Sequence, residues 1–209
     1  MVFERKTSIV GTVLLVLALV LLLIASISVP HIQAIDVARV AYTIDGIDAG
    51  KNQIRLGIWG ACSITEAVGT HCANPGHGYV IQLLSFSDSP IVTISAAWTR
   101  GLAVTPVAAG VTAIALVLAF LPYAVAYAVA FGIATFLTLL AFVIDIALLA
   151  KVRAQDFHNS GLRADTSAGV GFWLTFVSFI LLCFAGCSAC IGHRRANGKD
   201  IELGKIFRR

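Results

Sequence analysis

The sequence predicts a membrane protein: an all-α four-helix bundle carrying a small extracellular antiparallel β-sheet. Three observations predict it. Hydrophobic residues make up 58% and charged residues 12% of the 209, against roughly 45–50% and about 25% in soluble domains. The apolar residues fall in blocks long enough to cross a bilayer. Between the first and second blocks lies a compact polar segment, LGIWGACSITEAVGTHC, that holds Cys62 and Cys72.

Ile9 to Val29 is almost continuously apolar, bracketed by Arg5-Lys6 and by Pro30-His31. A cleaved secretory signal has an apolar core of about 7–15 residues. This run matches the ~20 residues of a bilayer crossing and predicts a retained span over residues 8–29, with cleavage after Ala34 as the alternative. Gly101 to Ala150 is apolar except for Asp145. As one helix it would be about 75 Å long, far beyond the roughly 30 Å hydrocarbon core. It therefore divides into spans at 102–122 and 127–150, turning at Leu121-Pro122-Tyr123, where proline removes a helix donor. Pro106 falls near the start of the second span, where a helix tolerates it. Gly169 to Ile191 forms the fourth span (169–191), opened by Phe172-Trp173 as an interfacial anchor. These spans leave an outer loop at 31–101, a solvated second outer loop at 151–168, and a tail at 193–209, all in a single domain.

The terminal segments carry eight basic and three acidic residues, whereas the two loops carry seven of each. Positive residues stay in the cytoplasm, so both termini are expected inside and the 31–101 loop outside. No basic stretch is interleaved with stacking aromatics, so nucleic acid is not an expected partner.

Outside the cell a disulfide is the default state of two nearby thiols, and closing a loop of this length stabilises it by roughly 2–4 kcal/mol. Gln53 to Ile58 alternates polar or small with apolar, Tyr79-Val80-Ile81 is β-prone, and Asn74-Pro75-Gly76 signals a turn. A twisted sheet stapled by Cys62–Cys72 is expected, with Trp59 packed beside the staple.

Gly57-Ile58-Trp59, two residues, Cys62, nine residues and Cys72 resemble the G-L-W-x-x-C-x₈₋₁₀-C signature of the claudin and peripheral-myelin superfamily. The run Phe172 to Phe179 after a polar loop is more similar to the fungal branch, the PalI-type and eisosome-marker tetraspans of the plasma membrane. The resemblance implies a claudin-like fold, no enzymatic activity, and work as an organiser of the plasma membrane or an auxiliary subunit of a larger membrane protein. It equally admits an accessory role in ambient-pH sensing. The sequence departs from the pattern at two points. About 17 residues follow Gly192, where several PalI-type members carry a long tail, and residues 31 to 55 contain no tryptophan.

Other features have a plain and a functional reading. His71 and His77 flank the turn signal and are candidates for pH sensing, since histidine changes charge near pH 6.5, or are ordinary loop residues. With Cys62 and Cys72 they match no zinc-site spacing, and no metal or cofactor is expected. Asp145 either reaches headgroups or pairs with Arg153, makes an intramembrane contact, or serves an ion path. Cys183, Cys187 and Cys190 share one helical face at the inner end of span four, as acylation sites or as small packing residues. Arg194, Arg195 and Lys199 follow, where basic residues attract anionic lipid. Ala126, Ala130 and Ala134, like Ala115 and Ala119, are spaced to let helices approach closely. The expected partners are membrane lipids and either a larger integral membrane protein or further copies of the chain. A channel or transporter subunit is the rival from another class; no Gly-rich phosphate loop, His-Glu metal motif or nucleophile elbow points to an enzyme.

Overall fold

The structure is a computed structural model; it describes residues 2–29, 32, 34–44, 52–65, 69–73, 76, 78–84, 90–122, 124–154 and 162–206. Four helical rods carry the apolar blocks. Helix α1 spans Val2–Ser26. The second rod is α2 (Ala96–Arg100), a 3₁₀ turn (Gly101–Ala103) and α3 (Val104–Ala119) in succession. Helix α4 spans Ala124–Arg153, and α5 spans Val170–Ile206. All four are long and apolar enough to cross a membrane, over Ile9–Ser26, Ala96–Ala119, Ala124–Arg153 and Val170–Ser188.

Local chemistry ends each rod. The Ser26 hydroxyl donates to the Leu22 carbonyl at 2.7 Å as α1 stops. At the end of α3 the chain tightens, with Phe120 and Leu121 N–H donating three residues back, and Pro122 cannot continue the helix. Lys151 and Arg153 lie in the last turn of α4, where cations suit the helix dipole. Pro106 sits within the first turn of α3, where its missing N–H breaks no helical bond.

The rods form a closed ring in which α1 packs on α3 and α5, and α4 packs on α3 and α5. The buried face of α4 reads Ala130, Ala134, Thr138, Ala141, Asp145, Leu148 and Val152, at intervals of three and four. Ala126 is exposed and lies outside that seam. A mid-bundle core of Leu15, Ala18 and Leu182 is flanked by Leu116, Tyr127 and Phe131.

A five-stranded antiparallel sheet caps one end of the ring, in the order β4 (Gly69–Ala73), β3 (Ala61–Thr65), β2 (Asn52–Leu56), β1 (Ala38–Ile44), β7 (Leu162–Ala168). Asn52, Ile54 and Leu56 of β2 are buried while Gln53 and Arg55 are half-buried, the period-2 pattern of a strand with one covered face. Beneath the sheet Val40, Ile54, Leu56 and Ile58 meet Leu102 from the 3₁₀ turn and Leu148 and Val152 from α4. A separate hairpin, β5 (Ile81–Leu84) with β6 (Pro90–Ile94), precedes α2. Because the sheet meets the end of α1 and the start of α5, both helical termini point to the opposite end of the bundle.

Two expectations need correcting. The second outer loop is not wholly solvated: residues 162–168 form β7, which runs the full length of β1 from Ala38↔Ala168 to Ile44↔Leu162. Its sequence, LRADTSA, lacks the β-branched run that marks a strand, and pairing with β1 overrides that weak propensity. Tyr79 and Val80 precede β5 rather than belonging to it. Helix α5 continues through residues 193–206 of the expected tail.

Candidate functional site

The Gly57-Ile58-Trp59 motif occupies the β2–β3 turn, closed by a hydrogen bond from the Gly57 N–H to the Gly60 carbonyl at 2.9 Å. This turn sits directly on the end of α1. A Cβ built on Gly57 would lie 2.6 Å from the Val29 Cβ and 2.7 Å from its carbonyl oxygen, so only glycine fits. The Ile58 N–H donates to the Ser28 hydroxyl at 2.8 Å. The Trp59 indole N–H donates to the Ser26 carbonyl at 2.7 Å, which answers one of the carbonyls that a helix end leaves unpaired. Trp59 thus fastens the turn to α1, where the sequence suggested packing against the staple.

The fastening continues across the bundle. The Tyr79 hydroxyl donates to the Gly57 carbonyl at 2.6 Å, and the Thr99 hydroxyl of α2 donates to the Tyr79 carbonyl at 2.7 Å. Burial pushes the Tyr79 phenol well above its ordinary pKa and keeps it a donor. Arg153, at the end of α4, donates through Nε and Nη2 to the Thr166 carbonyl of β7 at 3.2 and 3.1 Å. The N–H groups of Gly169 and Gly171 donate to the Val37 and Asp36 carbonyls at 2.9 and 2.8 Å. Asp36 is fully buried and takes a two-pronged ion pair from Arg39, Nε to Oδ2 at 2.9 Å and Nη2 to Oδ1 at 3.1 Å. That hydrogen-bonded pair raises the pKa of Arg39, against a smaller desolvation effect. Each of the four rods is therefore hydrogen-bonded to the cap or to the segment that seats it.

Cys62 and Cys72 face each other across β3 and β4 and form a disulfide. Cys62 is buried and Cys72 is exposed. Sulfurs joined in this way offer no thiolate to a metal. Among the described residues no group of three His, Cys, Asp or Glu side chains is placed to hold a metal ion. His71 lies on edge strand β4, opposite Ser63 and exposed. His77 lies outside the described residues.

The chain has the layout of a known family at every level: four spans, a long first loop folded as a sheet, and the Gly57–Trp59 turn set beside the Cys62–Cys72 staple. The sequence profile of the SUR7/PalI family matches residues 7–185. The chain belongs to the SUR7/PalI family. It is a multi-pass membrane protein with the claudin-like architecture of that family. Among curated proteins none matches it. The SUR7/PalI match runs from the second turn of α1 to within α5, and so includes the whole cap and its fastenings.

Asp145 does not reach outward to Arg153, whose guanidinium is taken by Thr166. It is buried at the α4–α5 seam, hydrogen-bonded with Thr175, and its Oδ2 has no partner among the described residues. The Thr175 hydroxyl also reaches the Gly171 carbonyl at 3.1 Å. Cys183 is half-buried and Cys187 exposed, both with free thiols. Cys190 lies within α5, its side chain outside the described set. Ser26, Ser28, Thr99 and the Asp36–Arg39 pair were not singled out by sequence, and Tyr79 was read only as part of a β-prone run. Two serines closing an apolar run, next to a proline, were the one available sign that the end of α1 receives hydrogen bonds.

Proposed function

We propose that this protein works without catalysis in the plasma membrane, both termini in the cytosol, as a lateral organiser or as an auxiliary subunit of a larger membrane protein. The observation behind this reading is the fastening of every rod to one stapled cap. A bundle locked in this way behaves as a rigid body. It offers lipid or a neighbouring protein a fixed helical surface and holds the sheet at a fixed height outside. Close helix packing through Ala130, Ala134 and Ala141 adds to that rigidity.

The test is photobleaching of the tagged, full-length protein in its native plasma membrane, paired with purification in mild detergent. Slowly exchanging patches, or one membrane protein recovered in stoichiometric amount, support the proposal. Uniform, freely diffusing single copies with nothing bound contradict it.

The exposure of His71 on the edge strand favours a second reading, an accessory role in ambient-pH sensing. Replacing His71 and His77 together then shifts the pH at which the cell responds; an unchanged response removes that reading.

A further inference from the structure

We propose that Asp145 is a proton-binding site: its carboxyl group sits in the α4–α5 seam as the neutral acid, and losing that proton opens the seam. The first support is the supply of hydrogen-bond donors. Asp145 is 2% exposed. It is hydrogen-bonded with the Thr175 hydroxyl, and its Oδ2 has no partner among the described residues. A hydroxyl carries a single proton, and that of Thr175 donates to the Gly171 carbonyl at 3.1 Å. A carboxylate only accepts. As an anion, Asp145 would compete with that carbonyl for one proton and leave an ionised oxygen bare. As the acid it supplies its own O–H to the Thr175 oxygen and leaves bare only a neutral carbonyl oxygen. Burying a charge without a full set of partners is far costlier than burying the neutral group.

The second support is that no described cation balances a charge there. Helix α4 packs against α3, α5, the 3₁₀ turn and β7. Neither α3 nor the 3₁₀ turn carries a titratable residue. On α5 the first titratable residue is Cys183, about 12 Å further inward than Thr175. On β7, Asp165 is exposed and carries negative charge, and the Arg163 side chain lies outside the described set. On α4 itself Lys151 is exposed, and Arg153 donates to the Thr166 carbonyl. Beside Gly171, the Asp36 carboxylate holds Arg39. Arg100, which leads into the 3₁₀ turn, is exposed and lies against Gly78.

The third support is what closes the seam. Phe142, within one turn of Asp145 on α4, has its ring centroid 5.3 Å from that of Phe172 and 5.0 Å from that of Phe176. Those two rings flank Thr175 on α5, and Trp173 meets both edge-on. Aromatic faces are electron-rich and make a poor neighbour for a carboxylate. When the O–H bond of the acid breaks, its electron pair stays on the oxygen and the proton combines with hydroxide to give water. The charge left behind draws water into the seam, and the rings bridging α4 and α5 part. The site does not depend on which of the proposed functions holds.

The experiment uses the full chain in lipid vesicles. At neutral pH its infrared spectrum should contain a carboxylic-acid C=O band. That band should move when aspartate is labelled with heavy carbon at its side-chain carboxyl, and vanish in Asp145→Asn. At mildly alkaline pH the band should be lost. The part of the tryptophan emission that Trp173→Phe removes should shift over the same range in the wild type and stay constant in Asp145→Asn. A wild-type spectrum with no aspartic-acid band at neutral pH overturns the bound proton, whether or not the variant folds. Trp173 emission that follows pH alike in wild type and Asp145→Asn, or in neither, overturns the opening of the seam.

Discussion

The Trp59 indole donates its N–H to the Ser26 carbonyl at 2.7 Å, tying the β2–β3 turn to the last helical turn of the first span. A lone hydrogen bond contributes roughly 1 kcal/mol. Trp59→Phe keeps most of the ring and loses that bond, so thermal unfolding in detergent should show a loss of about 1–2 kcal/mol. Gly57→Ala, which drives a methyl group into Val29, should cost more, about 2–3 kcal/mol or beyond. Gly110→Ala, with open space around it, is the control and should unfold as the wild type does.

Gly169 makes the corresponding junction on the other side of the cap. A Cβ there collides with the Asp36 carbonyl, the same carbonyl that accepts the Gly171 N–H. Gly169→Ala therefore displaces the start of α5 and disturbs the half-buried Asp36–Arg39 pair. The expected result is a lowered yield of folded protein and faster proteolysis between β7 and α5. Wild-type yield and proteolysis would argue against the junction.

Tyr79 gives a pH dependence. Its phenol is neutral when protonated, and burial raises its folded pKa above the unfolded value. The stability that it contributes is therefore complete below about pH 10, the ordinary tyrosine value, and is lost as pH rises towards the folded pKa. Tyr79→Phe should be less stable by about 1–3 kcal/mol at neutral pH, because the Gly57 carbonyl loses its donor. It should also show a shallower decline on the alkaline side. Identical alkaline curves for variant and wild type would contradict this.

Asp145 separates fold from function. Replacing a buried polar group by an apolar one of similar size is often neutral or stabilising, and Thr175 keeps its bond to Gly171. Asp145→Leu should stay within about 1 kcal/mol of the wild type or exceed it. If patch formation or partner recovery then falls while the fold persists, the carboxyl group serves an intramembrane contact.

The four rods were legible because a bilayer crossing needs a long apolar run, and such runs survive any detail of packing. The motif turn and the staple were legible from Gly57, Trp59 and the two cysteines in a fixed spacing. Strand β7 was not, because LRADTSA has little strand propensity and earns its place only by pairing with β1, some 120 positions earlier. The fastenings were hidden for a related reason. Ser28 with Ile58, Thr99 with Tyr79 and Arg153 with Thr166 join residues between 13 and 30 positions apart, and no local pattern marks either partner. For Asp145 the sequence left a surface pairing, an intramembrane contact and an ion path open, because position along the helix does not give direction, which is set by the α4 face that also carries Thr138, Ala141 and Leu148.

Peptide mapping of the unreduced protein tests the central claim most directly. The protein is taken from its native membrane with an alkylating agent present throughout, so that thiols cannot pair afterwards. A stapled cap in an oxidising compartment predicts one linked peptide pair joining Cys62 to Cys72, with Cys183 free of any disulfide. Recovery of Cys62 and Cys72 as separately alkylated thiols would contradict both the cap and the side of the membrane assigned to it.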